Sequence, residues 1–179
     1  WEPSEAPMPD FDTLPWRDLC TYLSPEGREA LEIALGEALR IGHFWLGVEF
    51  LLMGLSKQDG RPFSDLLHEL GISRGHFRGG LRGMVGVATE KDWRRMDVAE
   101  LGAQAFDNLQ PADPETLAAD FATVKEHHPV ITPRMMQVMR DAAEIANGEK
   151  IAHVHLLLAA LKHPQAIPVN LLLGQAVQA

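Results

Sequence analysis

The strongest constraint on this chain is that part of it is written twice. "LSPEGREALEIALGEA" begins at Leu23, and "ITPRMMQVMRDAAEIA" begins at Ile131. Each opens on an apolar residue, a hydroxyl residue and a proline: Leu23, Ser24 and Pro25 in the first, Ile131, Thr132 and Pro133 in the second. A further pair follows in the same order. "LGVEFLLMGL" matches "IAHVHLLLAAL", which sets Leu46 against Ile151 and Phe50 against His155. The later copy is three residues shorter between its two blocks, and the difference falls near Asn147–Gly148, where a loop absorbs it. "RPFSDLL" and "IPVNLLL" make a third pair, each with a proline before an apolar segment. An ordered recurrence of this kind is an internal duplication of one supersecondary unit.

The unit reads as helical. Ser24 can cap a helix and Pro25 suits its first turn. Ala30, Leu31, Ala34, Leu35, Ala38 and Leu39 follow at helical spacing, and Gly42 is a stop signal. Val48 to Leu55 fits a second helix, and "FSDLLHELG" a third that ends at Gly71. "SRGHFRGGLRGMV" predicts a fourth, although each glycine costs about 1 kcal/mol relative to alanine. Residues 1–15 carry four prolines and read as extended, so 1–22 is expected to be a lead-in. Between the copies, Val98, Leu101, Ala105 and Leu109 mark one helix. Asp113 (cap), Pro114, Leu117, Phe121 and Val124 mark another. No run alternates polar and apolar residues long enough to predict a sheet. The expectation is an all-α chain. One double-repeat domain would span 23–179, with repeat one at 23–86, an acidic connector at 87–130 carrying extra helices, and repeat two at 131–179.

Composition narrows the function. The 179 residues are enough for one domain with a sizeable core. A formal charge of −9 argues against general binding to nucleic acid or to an anionic membrane surface. No apolar run reaches the roughly 18 residues of a membrane helix. The start, "WEPSEAPMPDF", has neither the basic nor the apolar region of a signal peptide. A single cysteine, Cys20, cannot form an internal disulfide, which fits a reducing, cytoplasmic setting.

Within "LRIGHFWLGVEFLLMGL", Glu49 is one carboxylate among large hydrophobes. It falls in the first turn of the second helix, where the helix dipole stabilises an acid by about 0.3–1 kcal/mol. Facing a groove, it would instead meet a cationic group on a partner. Phe44, Trp45, Leu46 and Phe50 surround it. Leu46 and Phe50 are candidates for the core, whereas two large aromatics before one helix exceed what a four-helix repeat buries. Phe44 or Trp45 is therefore placed at the junction of the repeats or on an exposed patch. Arg74, Arg78 and Arg82 would line one helical face, either solvated or meeting an acidic partner, the connector included. His153 and His155 are two apart and point to different sides of a helix, so a shared metal is not expected. "GHFRGGLRG" lacks the Gly-Lys-Ser/Thr ending of a phosphate loop, and no nucleophile motif is present. No catalytic residue, cofactor or metal is expected.

The hydroxyl-led helix, the "GH" at Gly42–His43, and Gly47 and Glu49 before "LLMGL" resemble the N-terminal repeat of Clp ATPases, bacterial-type AAA+ unfoldases. The resemblance covers about 23–86 and 131–175. It implies two four-helix repeats in pseudo-twofold arrangement, and a domain that recruits substrate polypeptides or adaptor proteins to an ATPase ring without being an enzyme itself. The chain departs from the family in its long connector. The usual "T-E-H" also reads Val48-Glu49-Phe50 in copy one and His153-Val154-His155 in copy two. Some members from Gram-positive bacteria bind phosphorylated arginine through the Glu of both repeats, and here Glu49 alone matches. The resemblance therefore implies a protein-binding domain whose ATPase modules follow Ala179, with Phe44, Trp45, Glu49 and Phe50 as the partner-binding candidates. The alternative is a freestanding or differently fused Clp-like domain with a regulatory or scaffolding role. A small helical enzyme is the third possibility, with Glu49 and His43 its nearest polar pair.

Overall fold

A computed structural model of the protein describes residues 9–58, 62–85, 97–112 and 129–163. Within them the chain forms α1 (Trp16–Cys20), α2 (Pro25–Arg40), β1 (Trp45–Leu46), α3 (Val48–Ser56), α4 (Pro62–Glu69) and α5 (Arg74–Val85). It continues through α6 (Val98–Phe106), β2 (Gln110–Pro111), β3 (Val130–Ile131), α7 (Pro133–Ala146) and α8 (His153–Leu161). The protein is mostly helical.

α2 starts as its sequence dictates. The Ser24 Oγ accepts from the Gly27 N–H at 3.0 Å, and the chain leaves the helix at Gly42, where φ is 87°. Ala30, Leu31, Ala34, Leu35 and Ala38 are fully buried, an arc wide enough to need neighbours on both sides. α3 supplies one. A Cβ at Gly54 would stand 2.6 Å from the Ala30 carbonyl oxygen, so the missing side chain is what lets α3 approach. α6 supplies the other through Gly36 and Gly102, whose backbones leave no room for a Cβ on either. α6 is the first of the two helices expected in the connector, capped by Asp97, whose carboxylate accepts from the Glu100 N–H at 3.1 Å. The second, around Asp113, lies outside the described residues.

α5 forms in spite of its glycines. Gly75, Gly79 and Gly83 face open space, while Phe77 and Leu81 are fully buried and Phe77 meets Phe63 of α4 edge-on at 5.3 Å. Packing of one apolar face outweighs poor intrinsic propensity here. In the second half, Thr132 caps α7 by accepting from the Met135 N–H at 3.2 Å. The turn after α7 uses Asn147 and Gly148, both at positive φ (48° and 95°), at the place where the second copy is shorter. α8 follows. Residues 164–179, including "IPVNLLL", lie outside the described residues.

The mostly helical content agrees with the all-α expectation, and two details need correction. A small sheet is present: β1, β3 and β2, two residues each, form a three-stranded parallel sheet in that order, with Trp45 opposite Val130 and Leu46 opposite Ile131. β2 is the exposed edge, and Pro111 sits there without disturbing the ladder. Strands of two residues are too short to leave an alternating pattern in sequence. Leu23 and Ile151 make a separate parallel bridge. The second correction concerns the lead-in. Residues 9–22 are packed, not merely extended: Phe11, Trp16 and Leu19 belong to the core, and α1 occupies 16–20. Trp16 and Leu19 are an i,i+3 pair on a helix of five residues, too short to leave a repeating pattern beside the prolines. Among the described residues, no helix is long and apolar enough to cross a membrane.

Candidate functional site

Two helix starts are brought side by side by the small sheet. The Val130 N–H donates to the Phe44 carbonyl at 3.0 Å, and the Thr132 N–H donates to the Leu46 carbonyl at 3.1 Å. Leu46 leads through Gly47 into α3, and Thr132 caps α7. The first turns of α3 and α7 therefore flank a cleft of about 170 Å³, lined by Trp45, Val48 and Glu49 from the first half and by Thr132 and Arg134 from the second. Trp45 thus lies at the junction of the two matching segments.

The aromatic cluster sorts itself by depth. Phe50 is fully buried, so it does not face a partner and supports Trp45 from beneath, with ring centroids 4.7 Å apart. His43 approaches both rings, at 5.7 Å from Trp45 and 5.9 Å from Phe50. Phe44 and Trp45 are half-buried. Gly47 completes the arrangement. A Cβ there would stand 2.6 Å from both the Glu49 Oε2 and the Trp45 ring, so the absent side chain is what lets acid and indole lie together. Glu49 is half-buried, with exposed Arg134 across the cleft. The cleft thus offers an indole surface, an acid and a base, a combination suited to gripping a polypeptide side chain.

The arginine stripe of α5 is neither a solvated face nor free of the core. It packs against the C-terminal ends of α2 and α3, where Glu37 is a fully buried carboxylate. Arg40 Nη2 donates to Glu37 at 2.9 Å, Arg82 Nη2 donates at 3.3 Å, and Lys57 makes a third ion pair with it. Arg74 Nη1 donates to the Ser56 carbonyl at 3.3 Å. Burial pulls the Arg40 and Arg78 guanidiniums below their ordinary value. Glu37 opposes this in both, and neighbouring arginines add to it. This joint was missed in sequence. Its signal was an acid on the apolar arc of α2, matched by basic residues every four positions on α5.

The histidines do not converge. His155 Nδ1 accepts from the Ala152 N–H at 2.9 Å, closing the first turn of α8, and His163 Nε2 lies 3.4 Å from Asp141 Oδ2. Among the described residues, no group of three or more His, Cys, Asp or Glu is placed to hold a metal ion.

No protein-family model matches the chain. One stretch of 67 residues, 37% of the chain, is 34% identical to the chaperone protein ClpC1, chloroplastic, of Oryza sativa subsp. japonica. That stretch spans 7% of the rice protein's length.

Proposed function

We propose that this chain is a protein-binding domain of the kind carried by Clp-type ATPases, recruiting substrate polypeptides or adaptor proteins for unfolding through the cleft at Trp45 and Glu49. The partial similarity to a Clp chaperone supports a Clp-related role. The observation that carries the site is the position of Trp45, a half-buried indole over Phe50, between two helix starts and flanked by Glu49 and Arg134. Large aromatics at the rim of a cleft are frequent anchors of protein interfaces.

Under this reading the two matching segments are repeats that face each other. The correspondence of Leu23 with Ile131 and of Leu46 with Ile151 turns the Leu23–Ile151 bridge into the Ile131–Leu46 pair. The same exchange sets Lys150, Val154 and Glu26 where the cleft has Trp45, Glu49 and Arg134. The cleft chemistry therefore belongs to one side of the domain, which carries one such polypeptide site and performs no reaction there.

The test is titration of the purified chain with a fluorescent, permanently unfolded polypeptide. Trp45→Ala and Glu49→Ala are expected to weaken binding at least tenfold, with the circular dichroism spectrum preserved. Unchanged affinity in both folded variants would remove the site.

A further inference from the structure

We propose that the hollow between α1, α2 and α6 binds the carboxyl-terminal residue of a polypeptide that ends in an apolar side chain. The hollow measures about 440 Å³ and lies apart from the Trp45 cleft, with no residue in common. That volume is in the range of pockets that take small ligands or single residues, roughly 300–1,000 Å³. Its lining is mixed: Trp16, Phe106 and Leu109 supply the apolar part, each only slightly exposed, with the Trp16 and Phe106 ring centroids 6.3 Å apart, and Arg17, Thr21, Arg28 and Asp107 supply the polar part.

Two arginines, Arg17 and Arg28, and one carboxylate, Asp107, belong to its lining in a chain whose formal charge is −9. A second carboxylate, Glu32, pairs with Arg28 from outside the lining. Arg28 is already oriented. Its guanidinium lies 4.5 Å from the Phe106 ring centroid, and its Nε donates to Glu32 at 2.7 Å. Nη2 reaches Asp107 only at 3.4 Å, and the Asp107 side chain is 83% exposed. That long, solvated bond is the one an incoming carboxylate replaces with a shorter, charge-assisted pair. The apolar walls take the side chain while the arginines hold the terminal carboxylate beside it. Cys20, half-buried in the lining, behaves as an apolar group, because burial pushes its thiol up to about 12. It therefore adds neither a charge nor a nucleophile at neutral pH.

The test is isothermal titration of the purified chain with N-acetyl-Ala-Ala-Leu as the free acid and as the carboxyl-terminal amide. The acid is expected to bind at least tenfold tighter than the amide. Arg17→Ala and Arg28→Gln should each cost the acid threefold or more, and Trp45→Ala should change nothing. Absence of binding, equal affinity for acid and amide, or parental affinity in both arginine variants would overturn the proposal. Loss of acid binding in folded Trp45→Ala would also overturn it, by placing the peptide in the other cleft. Should Arg28→Gln fail to fold, exposed Arg17 decides the matter. The unfolded-polypeptide titration reads the Trp45 site independently of this outcome.

Discussion

Ile151 is held in parallel register with Leu23 from both sides of its peptide. The Ser24 N–H donates to the Ile151 carbonyl at 2.9 Å, and the Ile151 N–H donates to the Tyr22 carbonyl at 2.7 Å. The Thr132 N–H donates to the Leu46 carbonyl in the corresponding way on the opposite side. Both bonds join the residue that caps one long helix to the residue that leads into a short one. Each satisfies an exposed backbone group at a helix start with the backbone of the other half. The contact also explains Gly27, where a Cβ would meet the Ile151 carbonyl.

Glu37 predicts a sharp stability effect. Glu37→Gln removes the carboxylate on which Arg40, Lys57 and Arg82 converge, and leaves like charges facing each other at a packed joint. Loss of one member of a buried ionic cluster costs about 3 kcal/mol or more. Arg82→Ala, from a side chain 27% exposed, should cost about 1 kcal/mol. Urea denaturation of the two variants measures the difference. Equal midpoints would show that Glu37 is not the centre of the joint.

Trp45 and Phe50 meet edge to face, and they should separate under mutation. Phe50→Ala opens a cavity in a fully buried position and should cost about 3–5 kcal/mol. Trp45→Ala removes a half-buried ring and should cost less than half of that while abolishing most polypeptide binding. Thermal unfolding read alongside binding checks both. A larger stability loss for Trp45 than for Phe50 would make Trp45 a core residue.

How much of this was legible beforehand depends on how many residues carry each signal. α2 was readable because its cap, first-turn proline, six apolar positions and terminal glycine agree with one another. α5 was readable from Phe77 and Leu81 against the propensity of its glycines. The sheet was not, since a two-residue strand has no period. Nor was the burial of Trp16 and Leu19, for they follow a proline-rich stretch, and α1 meets α7 and Phe106 of α6 only in three dimensions. At the candidate site, Trp45 and Glu49 could be picked out from their unusual company. Thr132 and Arg134 could not, because their place beside Trp45 depends on the pairing of β1 with β3.

Cys20 should be unreactive in the native chain. Burial is the main reason that its thiol is pushed up to about 12 from an ordinary 9.0, with Arg28 opposing and Asp107 adding. The folded state then binds the proton more tightly than the unfolded state. This leaves stability untouched below pH 9 and removes it as pH rises from about 9 toward about 12. At pH 8 a maleimide should modify Cys20 slowly, and at the rate of a free thiol in urea. Rapid native labelling would contradict the burial.

Glycines at two positions of opposite character give the last prediction. Gly102 on α6 faces α2 so closely that a Cβ would run into the Glu32 carbonyl, which is backbone and cannot swing aside. Gly102→Ala should therefore push α6 off α2 and cost about 1–3 kcal/mol. Gly79 lies mid-helix in α5 with nothing within 4 Å of where its Cβ would be. Gly79→Ala restricts the unfolded chain and adds a better helix former, so it should stabilise by about 0.5–1 kcal/mol. The two substitutions add the same methyl group, so opposite shifts of the urea midpoint isolate the close contact between α2 and α6 as the cause. Shifts of the same sign would mean that α6 does not rest on α2 through that glycine.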